Sequence, residues 1–158
     1  MRNKKLIIIL VLMIAVFCVN QRVSAIGPLD IYLQGGAITN DSFSFSPFLW
    51  TAGVNIDLKF GKMMMLSPEL NVVISELKFD NILLEPAITL NIRLANFFVG
   101  AGLTKFFELG DNLWTNKFSL KVHGGIKLIG MKLRAYMIIP FDDLFKPVLY
   151  GGSVGFGF

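Results

Sequence analysis

The chain is poor in the side chains that build metal sites and covalent cross-links. Its 158 residues contain one cysteine, Cys18, and one histidine, His123. A lone cysteine cannot form an intramolecular disulfide, and one histidine without a further thiol leaves only scattered carboxylates for a metal ion. Gly100 and Gly102 lie within a predicted strand and not before a helix, so no phosphate-binding loop is indicated. We expect no metal, no other cofactor and no catalytic residue.

Long apolar runs are also scarce. One run of twelve, Leu6–Phe17, follows the basic residues of segment 1–5 and precedes Val23 and Ala25. Twelve apolar residues are too few to cross a bilayer comfortably as a helix but suit an export signal. We predict a signal peptide over 1–25, cleaved after Ala25. A retained amino-terminal anchor is the alternative, and no second hydrophobic helix follows this run.

The remainder of the chain has no excess of positive or negative charge. The sequence has 15 Lys+Arg and 11 Asp+Glu, and four of the basic residues precede residue 26. Removing the signal peptide therefore leaves eleven bases against eleven acids and no net charge. A basic patch is the electrostatic signature of nucleic-acid binding, so we expect no nucleic-acid partner.

Most of the chain after residue 28 alternates between apolar and polar or small residues. From Phe48 to Phe60, for example, the even positions are apolar and most odd positions are polar or small. This period of two is typical of strands, and strands of about ten residues match tilted membrane-crossing strands. We predict eight of them: Leu29–Ile38, Phe48–Phe60, Leu66–Ser75, Ile82–Leu94, Phe97–Phe106, Phe118–Leu128, Met131–Pro140 and Tyr150–Phe158.

The connections predict how these strands are joined. Short connections at Gly61–Met65, Ala95–Asn96 and around Gly130 alternate with longer ones. An even number of strands with alternating short and longer connections favours an all-β, eight-stranded antiparallel up-and-down barrel. We assign residues 26–158 to this single transmembrane β-barrel, with its short turns on the periplasmic side.

Alternation does not by itself show which face lies inside. A soluble lipocalin-like ligand carrier alternates too, with its apolar face inward. Small residues on the polar face favour a narrow interior, and aromatic residues near the strand ends favour two girdles at the membrane interfaces. The girdle residues that we predict are Trp50 and Phe118, with Tyr150, at one end and Phe60 and Phe97, with Phe156 and Phe158, at the other.

The last strand carries the most motif-like pattern. Tyr150, Val154, Phe156 and Phe158 share one parity, and small residues such as Gly155 take the other. This pattern resembles the closing strand of bacterial outer-membrane barrels, and the chain is similar to the small eight-stranded family of OmpX and the membrane domain of OmpA. The resemblance implies a carboxy-terminal signal read by the barrel-assembly machinery, contact with outer-membrane lipid, and a monomer in the outer membrane of a diderm bacterium. Unlike for OmpA, we expect no downstream peptidoglycan-binding domain and hence no tether to the cell wall.

With the apolar face outward, charged side chains would share a narrow lumen. Buried charges must be paired, which predicts a salt-bridged plug; a narrow gated channel is the alternative. The residues of this polar cluster are Asp30, Asp57, Lys59, Glu69, Glu85, Arg93, Lys121, His123, Lys127, Lys132 and Arg134.

His123 could point to a lipid-modifying outer-membrane enzyme. Such barrels resemble this chain in size, but they use a histidine with a nearby hydroxyl on the lipid-facing surface. Here Gly125 follows two residues later, and parity places His123 inside, where we expect it to pair with Glu69 or Glu85. We therefore predict a non-enzymatic barrel with a structural role in the envelope or in surface interaction.

Overall fold

The structure, a computed structural model, describes residues 29–40, 49–75, 82–108, 118–141 and 148–157. These ranges contain no helix long and apolar enough to cross a membrane. They form nine strands: β1 Leu29–Asn40, β2 Leu49–Phe60, β3 Met64–Ser75, β4 Ile82–Leu94, β5 Phe97–Thr104, β6 Phe107–Glu108, β7 Ser119–Leu128, β8 Met131–Pro140 and β9 Leu149–Gly157.

Strands β5 and β6 are two parts of one barrel strand. Both pair with β4, and the register Thr104 with Ala87 continues unchanged to Phe107 with Leu84. Between them the Lys105 amide donates to the Pro86 carbonyl at 3.2 Å. Proline has no N–H and cannot return the second hydrogen bond of the pair, which explains the interruption. The barrel wall therefore has eight strands.

All neighbouring strands are antiparallel, and the sheet closes on itself. β1 pairs with β2 and β9, and β3 pairs with β4, so every barrel strand has two neighbours. Following paired residues once around the wall from Leu29 returns to β1 at Thr39, ten positions along. Eight strands with this stagger give a tilt of about 40° and a radius of about 8 Å. The prediction of a closed, eight-stranded antiparallel barrel is confirmed.

The short turns lie at one end of the barrel, which we call the turn end; the opposite end is the loop end. Gly61 and Gly130 have φ of 67° and 71°, and Ala95 has φ of 54°.

Our placement of Met64 and Met65 in the first turn was wrong. β3 begins at Met64, because Met64 and Met65 pair with Phe60 and Lys59 and continue the ladder.

A proline also interrupts the ladder between β2 and β3. Within these two strands the pairing is continuous except where Ile56 and Asp57 face Pro68 and Ser67, and the register is the same on both sides of the gap. The Ser67 hydroxyl donates to Asp57 Oδ1 at 2.6 Å across this gap. A side-chain hydrogen bond thus joins the strands where the missing proline N–H weakens the backbone ladder.

The wall is polar inside and apolar outside. On β4, Thr89 and Asn91 have no exposed surface, whereas Leu90 between them is 49% exposed. The same alternation occurs on the other barrel strands, where the exposed residues are mainly leucine, isoleucine, valine and phenylalanine. This is the reverse of a soluble barrel, which keeps its apolar face inward.

Several predicted features lie outside the described residues. They are the signal peptide 1–25 with Ala25, the longer connections, and Phe158.

Candidate functional site

The charged interior is divided between two halves of the wall. Among the described residues, four buried acids lie on β1–β4, and four buried bases that pair with them lie on β7 and β8. The acids are Asp30, Asp57, Glu69 and Glu85; the bases are Lys121, Lys127, Lys132 and Arg134. All eight are buried, so their ion pairs cross the lumen between residues that are far apart in the chain.

One cluster lies toward the turn end. Asp57 Oδ2 is 2.6 Å from Lys127 Nζ, and Asp57 Oδ1 is 2.9 Å from Lys132 Nζ. Asp30 is 2.7 Å from Lys59 and 3.2 Å from Lys127. Lys132 also donates to Asn55 Oδ1 at 2.7 Å, so the cluster is a connected network.

A second cluster lies above the first, toward the loop end. Lys121 Nζ lies 2.7 Å from Glu69 Oε1 and 2.7 Å from Glu85 Oε1. The Glu69 contact is an ion pair without hydrogen-bond geometry, whereas Lys121 donates a hydrogen bond to Glu85. Arg134 Nη2 is 2.7 Å from Glu69 Oε2 and donates to Gln34 Oε1 at 3.1 Å. Every carboxylate of this cluster thus faces a cation.

His123 has a different partner from the one we predicted. Its Nε2 contacts Asn91 Oδ1, not Glu69 or Glu85. Asn91 in turn donates to the Ser67 hydroxyl at 2.8 Å, which links His123 to the turn-end cluster through Asp57. The ring packs edge-on against Phe98 with centroids 5.8 Å apart, and its Nδ1 has no hydrogen-bond partner among the described residues. His123 is buried in the interior, away from the outer face.

Three inward aromatic rings lie beside the lysine ammonium groups of the interior. Lys121 Nζ lies 4.6 Å from the Tyr136 ring centroid, and Lys132 Nζ lies 4.9 Å from that of Phe98. Lys127 lies 5.1 Å from the Tyr32 ring. These distances are within the range of cation–π attraction, which strengthens where water is excluded.

The same three rings each face a glycine on the next strand. Tyr136 pairs with Gly151, Phe98 with Gly125, and Tyr32 with Gly157. A Cβ at Gly151 would overlap the Tyr136 ring, and a Cβ at Gly125 would lie 2.7 Å from Phe98 Cζ. The inward glycines therefore make room for rings that fill the lumen.

An apolar layer closes the interior at the loop end, and our sequence interpretation missed it. Ile38, Val73, Tyr136 and Ile138 form a buried cluster. Further inward-facing apolar side chains pack against it: Leu49, Leu83, Phe106 and Leu149. These residues share the parity of the polar cluster, so the signal was present in the sequence.

Two predicted cluster members lie at its margin. Arg93 is half-buried and donates through Nε to the Ala95 carbonyl at 2.9 Å, within the turn. The Lys59 side chain is 22% exposed and reaches Asp30 from the last position but one of β2. The other predicted cluster residues are buried.

The predicted girdle residues project from the outer face at the two ends. Trp50 and Phe118 lie near the loop end and are 45% and 55% exposed. Phe60, Phe97 and Phe156 lie beside the turns and are 56–62% exposed. Tyr150 and Val154 also follow the outward parity of β9.

Small outward residues form a shallow depression of about 460 Å³ between these ends. It runs over β1, β9, β8 and β7, where Gly152 pairs with Ala135, and Ala135 with Gly124.

Among the described residues, no group of three or more His, Cys, Asp and Glu side chains could hold a metal ion.

No protein-family description and no curated protein matches the chain in sequence. The chain is similar to a solved structure from work on the de novo design of transmembrane β-barrels, with a TM-score of 0.54 and 10% identity. The match covers 82% of this chain and 94% of that one.

A second solved structure, from work on the asymmetric conductivity of engineered proteins, has a TM-score of 0.30 and 8% identity, covering 85% of this chain and 53% of that one. That likeness is too weak to carry an argument. The first match shows a shared fold: this chain is an all-β, eight-stranded antiparallel closed barrel that resembles transmembrane barrels.

Proposed function

We propose that this protein is an integral outer-membrane β-barrel of a diderm bacterium, exported by a signal peptide cleaved after Ala25. Its role is structural, in envelope integrity or surface interaction, and it is a non-enzymatic monomer. The observation that carries the proposal is the reversed polarity of the wall. Asp57, Glu85 and Lys121 have no exposed surface, whereas Ile88, Leu90 and Ile92 are about half exposed on the outside. Water would disfavour that apolar surface, and lipid would not.

The dimensions of the wall support the same proposal. Strands of ten to thirteen residues, such as β8 and β4, rise about 25–32 Å along the barrel axis at a tilt near 40°. This span matches the apolar band of outer-membrane barrels. In a closed barrel each backbone polar group can be paired within the wall, which is the condition for crossing lipid.

The filled interior favours a closed barrel over the narrow-channel alternative. Ion pairs occupy the lumen from the turn end to its middle, and the apolar layer of Ile38, Val73 and Ile138 covers it at the loop end. An ion crossing this path would have to displace paired charges and then enter an apolar constriction. The buried position of His123, paired to Asn91, favours a structural imidazole over a lipid-facing catalytic one.

The proposal is tested by expressing the full-length sequence and comparing the gel mobility of the protein in isolated outer membranes with and without boiling in SDS. We expect the band in this fraction and a change in its mobility on heating, since a closed barrel resists SDS until it is heated. Soluble protein in the periplasm would instead support the ligand-carrier alternative. Planar bilayers containing the purified barrel should then show no sustained current steps, and stable steps would favour the channel.

A further inference from the structure

Lys105 is the one charged side chain that follows the outward alternation of the described strands. On its own strand, Val99, Ala101 and Leu103 precede it on the outer face, and all three are exposed and apolar. The other charged residues whose side chains the structure describes take the inward parity or, like Lys62, lie in a turn. A charge on a lipid-facing wall is costly unless it lies at a polar boundary.

The position of Lys105 along its strand corresponds to such a boundary. Phe97 starts β5 beside the turn, and Lys105 lies eight residues further. The usual strand rise and the tilt of the barrel place Lys105 about 20 Å above Phe97, close to the far limit of the apolar band. Opposite Lys105, Pro86 cannot donate to the wall, and an interrupted ladder is tolerated better at the headgroup level than among acyl chains.

Two aromatic rings hold the ammonium group at this level. Lys105 Nζ lies 5.1 Å from the Phe107 ring centroid and 5.2 Å from that of Phe118. Both rings take the outward parity, and Phe118 is 55% exposed. Contact with two rings limits the freedom of the lysine, so less entropy is lost when an anion binds to it.

We propose that Lys105, beside Phe107 and Phe118, is a docking site for the phosphate of an anionic membrane lipid at the loop-end rim of the barrel. The inference rests on the proposed membrane location. The ammonium donates to the phosphate oxygens, and the rings lie beside the upper part of the acyl chains. The apolar wall below Lys105 contacts the acyl chains of the lipid. A free phosphate has no acyl chains and would not use this surface.

The test uses full-length protein inserted into vesicles of phosphatidylcholine with one-fifth phosphatidylglycerol, and then extracted in a neutral detergent. Native mass spectrometry counts the lipid that stays bound. We expect retained phosphatidylglycerol on the wild type and about fivefold less on Lys105→Gln, the preference that one basic residue gives at a membrane surface. Lys105→Arg should keep the lipid, and Phe118→Leu should retain less. Lys62→Gln, which changes an exposed lysine in the turn at the other end, should match the wild type.

If Lys105→Gln retains as much phosphatidylglycerol as the wild type, the site is refuted. It is also refuted if Lys62→Gln loses as much lipid as Lys105→Gln, because the attraction would then be diffuse. Competition by inorganic phosphate that removes the lipid at millimolar concentration would also overturn the lipid assignment. Heat-dependent gel mobility of each variant separates the two proposals. A barrel that inserts but retains no lipid refutes only the site, whereas a protein that fails to insert refutes the membrane location itself.

Discussion

Replacing Lys121 with methionine should strongly destabilise the barrel. Lys121 has no exposed surface, and its Nζ lies 2.7 Å from carboxylate oxygens of both Glu69 and Glu85. Those two oxygens are therefore within about 5 Å of each other, where two negative charges repel by about 3 kcal/mol at an effective dielectric constant near 20. The attraction of Lys121 to the Tyr136 ring is lost too. We expect the free energy of unfolding to fall by about 3–5 kcal/mol, as for other buried pairs that lose one partner.

The assay is urea unfolding of the protein in lipid vesicles, followed by tryptophan emission and by the heat-dependent gel band. Two further variants isolate the electrostatic cause. Adding Glu85→Gln to Lys121→Met removes the repulsion and leaves Glu69 with Arg134 at 2.7 Å, so about half of the lost stability should return. Lys59→Met should cost at most about 1 kcal/mol, because its side chain is partly exposed and Asp30 keeps Lys127.

A loss below about 1 kcal/mol for Lys121→Met would refute this reasoning. So would a double variant that is less stable than the single one, since repulsion between the carboxylates could not then be the cause.

Two backbone positions give further predictions with the same assay. Gly151→Ala should cost about 1–3 kcal/mol, because its Cβ would overlap the Tyr136 ring. Gly152→Ala is its matched control: that Cβ would lie 3.7 Å from the Arg134 carbonyl oxygen, an ordinary contact, so stability should change by about 0.5 kcal/mol or less. Equal costs at the two glycines would contradict this explanation. Ala95→Gly should stabilise the barrel by about 0.5–1 kcal/mol, because Ala95 has φ of 54°, which glycine adopts freely. A less stable Ala95→Gly variant would show that the turn is not strained.

The strands could be predicted from the sequence because their pattern is local. Alternation of side chains is set by the pleat of each strand, and the ends of β4 and β8 agree with the prediction residue for residue. The start of β3 was predicted too late, because Met64 and Met65 are both apolar and give no alternation where the pairing with β2 begins.

The partners inside the barrel could not be predicted in this way. Lys132 reaches Asp57 and Arg134 reaches Gln34 across 75 and 100 residues of chain. Such contacts depend on the stagger of all eight strands, which no local pattern encodes. For the same reason Asn91, which contacts His123 from β4, was not identified. The apolar layer was different: the parity of Ile38 and Ile138 places them on the inner face, but a local pattern does not show that they meet in one layer.

The separation of acids and bases between the two halves of the wall has a consequence for folding. Before the halves meet, the inner side of β1–β4 holds Asp30, Asp57, Glu69 and Glu85 with few cations of its own, and that of β7–β8 holds mainly bases. Neither half can leave water cheaply by itself, because its like charges would be buried unpaired. Isolated hairpins thus gain little from their polar side chains. We expect the interior charges to pair, and the ring to close, in one cooperative step, with a half-formed sheet keeping its charged face in water until then.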